Sequence, residues 1–499
     1  MNMLWNALEQ SCLEHAYRPA LSDQAGNVIS YGELLGRVRA RANLLRSLLS
    51  TGSRVAVLEE YPLEEAIEIL ALLSLNVTIV PLYKRYGIQR CEQILGHTRP
   101  HYLLSKLAAS ELELLEQTCE AVGTTLLSPH LGDLVQQNPG KEKLGDTEQP
   151  LPPSFLMYTS GSTGKPKGAI LTYANIWANI VDIRAYFDIN KKDHILINRS
   201  LSHASVMTGE FLLGLMCGAQ LTFYTEAFMP RRLLSFMEKT GITVFGTTPT
   251  IFYQLACDKA NYSLPQLSKV SLMGEYMHKQ VASKAKERFP HVEFYMLYGQ
   301  TEASPRITYL PSEHFSQKEG CIGKPLLSMK IRIVDNQGVD TCEGEVGQLL
   351  VQGPNVFYGY WDAPELTSAK LKDGWLHTGD AIYQGTDGYL YIAGRQDDMI
   401  IRAGMNIYPK EIEDRLLEDE RIREVIVFSA MNPKYGQSIQ MAVVAESDAL
   451  LTQADVMAIC KKKLASYQYP DEIQIVEAIP RNHAGKIVRK PINYAQTLI

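Results

Sequence analysis

Tyr158-Thr159-Ser160-Gly161-Ser162-Thr163-Gly164-Lys165-Pro166-Lys167-Gly168 is the stretch on which the rest of the chain turns. It follows the apolar run Phe155-Leu156-Met157 and precedes Ala169-Ile170-Leu171-Thr172, so its flanks predict a strand, a loop and then a helix. Glycines let a backbone pass close to an anion, small hydroxyls and N–H groups donate to phosphate oxygens, and Lys167 adds a positive charge. The pattern suits a polyphosphate. It departs from the common P-loop, where Gly-Lys is followed by Ser or Thr for magnesium, because Pro166 follows Gly164-Lys165. Standing alone, it also reads as a Gly/Ser surface turn.

Working outward, 499 residues with 45% hydrophobic and 21% charged content predict a globular chain of more than one domain. A net charge of −6 and the lack of a long basic run argue against a nucleic-acid partner and for a small ligand. Eight cysteines without C-x-x-C spacing suit reduced thiols, and hence a cytoplasmic protein, better than disulfides or structural zinc. The first residues lack the basic and apolar regions of a signal peptide. Glu68 and Asn76 interrupt the apolar run 67–82, so no membrane span is expected.

The first third alternates helix and strand. A helical pattern opens at Ser30-Tyr31-Gly32-Glu33-Leu34, 54–58 reads as a buried strand, 64–75 as a helix and 77–82 as a strand. A polar segment, 136–153, reads as an exposed linker into the Gly/Ser loop. Further strands are expected at 194–198, 220–224, 243–245, 269–273 and 292–297, with helices between, and ligands bind at the carboxyl ends of such strands. Beyond Cys321 the texture becomes short strands, among them 329–335 and 347–351. From 425–428 a compact α+β unit follows, with a strand at 440–445, a helix at 454–464 and a strand at 472–476. The fold class is therefore α/β. A large N-terminal domain of α/β layers with a small β-rich subdomain, 1–396, precedes a small α+β C-terminal domain, 397–499, and the family resemblance carried by the motifs that follow implies that this second domain is mobile.

Three further groups carry chemistry. Tyr298-Gly299-Gln300-Thr301-Glu302-Ala303-Ser304 follows an expected strand and offers a ring for a base, a hydroxyl for phosphate and a carboxylate for magnesium, or else an ordinary polar turn. In Leu376-His377-Thr378-Gly379-Asp380 and Gly394-Arg395-Gln396-Asp397-Asp398, Asp380 and Arg395 suit a ribose, or an ion pair with one another. Lys486, on the turn at Gly485 within Pro480-Arg481-Asn482-His483-Ala484-Gly485-Lys486, projects from a segment that alone reads as a basic tail.

In this order the motifs resemble the adenylate-forming superfamily of acyl-CoA synthetases, nonribosomal-peptide adenylation domains and firefly luciferase, over essentially the whole chain. The resemblance implies that Thr159, Ser160, Gly161, Ser162, Thr163, Gly164, Lys165 and Lys167 hold the β- and γ-phosphates of ATP. Gly274, Glu275 and Tyr276 form the adenine side and Tyr298 packs on the base. Thr301 contacts the α-phosphate, Glu302 holds magnesium (Mg2+), and Asp380 and Arg395 take the ribose. Asp397 matches the hinge, Gly404 borders the pantetheine tunnel, and Lys486 matches the catalytic lysine of the first half-reaction. His203, Gly299 and Ser304 correspond to the acyl pocket, although a lone His is also read as a packed or capping residue.

The implied activity is that of an AMP-forming acid–thiol ligase. A carboxylic acid attacks ATP to give an acyl-AMP and pyrophosphate, and a pantetheine thiol then takes the acyl group. Leu201-Ser202-His203-Ala204-Ser205 lacks the acidic residue that amino-acid-activating relatives use for the substrate ammonium, which disfavours an α-amino acid. Met273-Gly274-Glu275 departs from the acyl-CoA ligase pattern toward the amino-acid branch, and Lys84-Arg85-Tyr86 replaces a usual Asp-Pro. The end at Ile499 leaves no expected room for a fused carrier domain. Coenzyme A is the first expected acceptor and a carrier-protein phosphopantetheine in trans the second. The remote alternative is a non-catalytic nucleotide-binding protein.

Overall fold

The computed structural model describes residues 2–50, 52–106, 109–127, 152–159, 166–260, 262–275, 277, 279–318, 320–402, 405–432, 436–446 and 449–479. Ser160, Gly161, Ser162, Thr163, Gly164, Lys165, Tyr276, Gly404, Lys486 and residues 136–151 of the expected linker lie outside the described residues. Contacts divide the chain into two units. The first comprises Met1–Glu319, Gly323–Lys330 and Val351–Leu376, and the second Gly320–Ile322, Ile331–Leu350 and His377–Ile499.

The first unit holds two sheets flanked by helices. One runs in the order Gly359–Tyr360, Lys167–Thr172, Ser154–Thr159, Thr78–Pro81, Arg54–Leu58, Tyr102–Ser105, Thr125–Leu127. From Ser154–Thr159 onward its pairs are parallel. Val55, Ala56, Val57 and Leu58 are fully buried, as expected of a parallel strand covered on both faces. The helix Tyr31–Leu45 begins where Ser30 accepts from Glu33 N and Glu33 Oε2 accepts from Ser30 N, and its apolar stripe, Tyr31, Leu34, Leu35, Val38, Ala42 and Leu45, is buried.

The second sheet places Val28–Ser30, Pro19–Asp23, Gln220–Phe223, His194–Ile197, Val244–Thr247, Lys269–Met273, Glu293–Gly299 and Arg306–Leu310 side by side. From Pro19–Asp23 to Glu293–Gly299 neighbours are parallel, so the loops after His194–Ile197, Val244–Thr247, Lys269–Met273 and Glu293–Gly299 share one edge.

One expectation is overturned. Residues 169–172 are not the start of a helix: Lys167–Thr172 is a strand, antiparallel to Ser154–Thr159 with Tyr158 opposite Gly168 and Thr159 opposite Lys167. The helix starts only at Tyr173, capped by Thr172 with Asn175 in a reciprocal pair of hydrogen bonds. Ala169, Ile170 and Leu171 are all buried, and Ile170 and Ala169 pair on the far side with Gly359 and Tyr360. A short apolar run carries no periodicity that separates strand from helix, and here burial between two partner strands decides it.

In the second unit, Asp380 to Gln384 pair antiparallel with Leu390 to Arg395. A five-stranded sheet follows, built from Met405–Ile407, Ile400–Arg402, Gly436–Ala445, Ile422–Asn432 and Glu472–Ile475, and the helices Pro409–Leu417 and Gln453–Lys463 complete its core. Val425, Val427, Ile439, Met441 and Val443 alternate toward the cluster that also holds Ile412, Leu416, Val456 and Ile459.

Candidate active site

The Gly/Ser loop is carried on a β-hairpin, not on the N-terminus of a helix. Its ascending stem, Ser154–Thr159, carries Tyr158, whose hydroxyl is hydrogen-bonded to His97 Nδ1 at 2.8 Å and to Thr98 Oγ1 at 2.5 Å. Burial pushes the Tyr158 phenol up and the His97 imidazole down, so both are neutral partners at neutral pH. The descending stem begins at Lys167-Gly168. A Cβ at Gly168 would stand 3.0 Å from Tyr158 Cζ, so a side chain there would crowd the ring that lies across the hairpin. Gly168 O accepts from Trp361 N at 2.8 Å, and Trp361 Nε1 donates to His97 O at 3.2 Å.

Thr301 and Glu302 occupy a 3₁₀ turn, Thr301–Ala303, directly after Glu293–Gly299. Ser304 closes the turn with φ of 60°, and Asn355, fully buried, donates to Ala303 O at 2.8 Å and Arg306 O at 3.0 Å. Glu302 Oε1 accepts from Tyr360 Oη at 2.5 Å, and Glu302 O accepts from Phe357 N at 2.9 Å. Tyr360 lies opposite Ala169, on the strand beside the descending stem. The structure thus brings Thr301 and Glu302 to the Lys167–Thr172 strand through Tyr360 and Asn355, which sequence reasoning missed. The aromatic run Phe357-Tyr358-Gly359-Tyr360-Trp361 was the available signal.

Gly274 and Glu275 follow Lys269–Met273, with Gly274 at φ of 86°. Glu275 Oε2 accepts from Thr250 N at 3.1 Å, near the N-terminus of the helix Pro249–Cys257. Its carboxylate therefore caps a helix, which accounts for an acidic residue there without an ammonium substrate. Tyr298 is half-buried on the strand that ends at Gly299. A Cβ at Gly299 would overlap Pro305 O, so that position must stay glycine. His203 is half-buried and its carbonyl accepts from Val206 N and Met207 N, opening the helical segment. Ser304 is completely buried.

Within the second unit Arg395 Nη1 stands 3.0 Å from Asp380 Oδ1, so the ion pair foreseen as an alternative is formed. Asp380 is 7% exposed and Arg395 47%, and the arginine is the half that faces solvent. Gly379, at φ of 77°, turns the strand between Thr378, whose Oγ1 donates to Leu349 O and accepts from Asp380 N, and Asp380 itself. Asp397 is exposed in the turn after Arg395. Among the described residues no group of three or more His, Cys, Asp or Glu side chains is placed to hold a metal, and no helix is long and apolar enough to cross a membrane.

The family model described as "AMP-binding enzyme" matches residues 8–361, and that of the "AMP-binding enzyme C-terminal domain" matches 411–486. A feruloyl-CoA synthase from Amycolatopsis is 30% identical over 473 residues, 93% of either chain. A long-chain-fatty-acid–CoA ligase from Salmonella typhimurium is 28% identical, covering 97% of this chain and 93% of its own. Among solved structures, ATP-bound MatB from Rhodopseudomonas palustris superposes with a TM-score of 0.86 at 25% identity over 97% of both chains.

Proposed function

The chain belongs to the family of AMP-binding enzymes, as an AMP-forming acid–thiol ligase, and we propose that it joins a carboxylic acid other than an α-amino acid to coenzyme A in a cytoplasmic setting. The observation that carries the site is the tether from Glu302 through Tyr360 to the strand beside the Gly/Ser hairpin. It ties the turn that bears Thr301 and Glu302 to the strand that follows the Gly/Ser stretch, which supports reading the two as parts of one phosphate site. All eight cysteines are free thiols, five of them buried, which accords with a reducing compartment.

A carboxylic acid, with a pKa of about 4 to 5, is already ionised at neutral pH, so its attack on the α-phosphorus of ATP requires no general base. The barrier lies in charge and alignment. Thr301 and Lys486 stabilise the charge that grows around the α-phosphate, while Lys167 and the hairpin loop steady the departing pyrophosphate. Tyr298 stacks on the adenine beside Gly274, Glu275 and Tyr276, and Asp380 with Arg395 takes the ribose. Magnesium, when bound, supplies charge neutralisation between phosphates, and Glu302 fits it: one carboxylate completed by phosphate oxygens is its usual protein site, and the Tyr360 bond engages only Oε1. The acyl-AMP is a mixed anhydride open to the coenzyme A thiol, which approaches past Gly404 after a turn about Asp397 and attacks the acyl carbon, forming the thioester as the carbonyl–phosphate C–O bond breaks and AMP leaves. His203, Gly299 and Ser304 border the acid.

Pyrophosphate release and thioester formation over a panel of short, medium and long fatty acids, aryl acids and amino acids, with and without coenzyme A, test this. Acid-dependent pyrophosphate with a coenzyme A thioester is the expected result. A folded sample that releases no pyrophosphate with any acid would leave the chain as a non-catalytic nucleotide binder, and adenylate without coenzyme A transfer would point to a carrier protein.

A further inference from the structure

Beneath the turn that carries Thr301 and Glu302 lies a buried charged cluster that the reaction so far leaves unused. Arg199, in the loop after His194–Ile197, is paired with Glu210 on the π-helical segment Met207–Leu212, and its Nη2 also lies 3.8 Å from Met273 Sδ at the end of Lys269–Met273. Arg306, among the largest fully buried side chains of the described residues, donates to Tyr186 Oη at 2.8 Å and to Gly209 O at 3.4 Å. Two guanidinium groups thus flank one carboxylate. Burial pushes the Glu210 carboxyl up while Arg199 and Arg306 pull it back. Asp182, also buried, directs its Oδ2 to Ser328 Oγ and N.

Two glycines make room for these groups. A Cβ at Gly209 would stand 2.6 Å from Arg306 Nη2, and one at Gly246, on Val244–Thr247, would overlap Glu210 Oε1. The cluster therefore sits at the carboxyl ends of parallel strands, where such sheets bind ligands. A π-helical segment is itself frequent at functional sites. Arg199 Nε, Arg306 Nε, Glu210 Oε2, Thr208 Oγ1, Thr247 Oγ1 and Ser304 Oγ are buried without a hydrogen-bond partner among the described residues. Such atoms are rare in a finished core, and the two guanidinium N–H groups and three hydroxyls among them can each donate to an incoming acceptor.

We propose that this cluster reads the far end of the acid and that the preferred substrate carries a second carboxylate, taken by Arg199 with Arg306 and the neighbouring hydroxyls behind it. The inference rests on the ligase reading. Arginine presents a planar fork of donors that matches a carboxylate bidentately, and Glu210 fixes the fork before substrate arrives. Selection follows because a tail without acceptors leaves buried donors unpaired.

Saturated dicarboxylic acids of three to six carbons, and the monocarboxylic acids of the same lengths, separate the possibilities in two assays. With the wild-type enzyme, pyrophosphate release is expected to favour the best diacid by at least about tenfold in kcat/KM. Arg199→Met is expected to cut that diacid value about 100-fold, chiefly through KM, with Arg199→Lys between the two. Calorimetric titration of the same acids onto the ATP-free protein reads the cluster without turnover: diacid binding that Arg199→Met removes supports the proposal, and absence of diacid binding to the wild type overturns it. A wild-type preference for monoacids also overturns it while leaving the ligase intact. Diacid binding without any pyrophosphate release would instead sink the ligase reading and keep the cluster.

Discussion

Tyr360 and Glu302 are joined by a 2.5 Å hydrogen bond from phenol to carboxylate, which links the turn after Glu293–Gly299 to the strand beside the Gly/Ser hairpin. A hydrogen bond to a charged group is worth about 1.5–3 kcal/mol. Tyr360→Phe keeps the ring packing against Phe357, whose centroid lies 4.9 Å away, and removes only this bond. Adenylate formation is expected to fall about 10-fold or more, with a higher magnesium requirement in the pyrophosphate-exchange assay. An unchanged magnesium titration would reduce Tyr360 to a packing residue.

Lys486→Ala is expected to separate the half-reactions. Acid-dependent pyrophosphate release is expected to be lost, while thioester formation from a supplied acyl-AMP and coenzyme A is largely retained. Equal loss in both assays would take Lys486 out of the first half-reaction.

Two glycine replacements should move stability in opposite directions. Gly246→Ala drives a methyl into Glu210 and is expected to cost about 1–3 kcal/mol in denaturant unfolding, the range for overpacking a core. Gly36→Ala, on the exposed face of Tyr31–Leu45 with nothing within 4 Å of the new methyl, should gain about 0.5–1 kcal/mol. A loss at Gly36 would contradict the helix geometry.

Glu59 sets a pH trend. Burial first, then the charges of Glu68 and Glu64, raise its carboxyl from 4.5 to about 7, against the pull of Lys106 and Arg41. A carboxyl that holds its proton longer when folded contributes stability in full below 4.5, and that contribution is lost as the pH rises through about 7. Glu65, raised to about 8 chiefly by burial, extends the same trend. Thermal unfolding of Glu59→Gln should therefore fall less steeply than wild type over this interval. A steeper fall would show that Glu59 is ionised in the fold.

Much of this architecture was legible because buried parallel strands are unbroken apolar runs. Residues 269–273 are the observed strand Lys269–Met273, and 194–198 and 220–224 each overshoot by one residue. The Ala169-Ile170-Leu171-Thr172 run misled for the same reason: four residues have no period, and only the flanking strands Ser154–Thr159 and Gly359–Tyr360 make it β. Motif residues such as Glu302 and Asp380 were singled out through their sequence neighbours. Tyr360, Asn355, Arg199 and Arg306 did not, since each acts through a partner distant in sequence.

By itself, then, the order of short motifs determined the family and the reaction, because phosphate binding needs glycines, hydroxyls and charges at local spacings that survive as text. The tertiary structure decided what holds those motifs: a hairpin under the Gly/Ser loop, a phenol on Glu302, and Arg199 and Arg306 about one buried carboxylate at Glu210. Long-range pairing and desolvation create these relationships, and neither leaves a pattern along the chain.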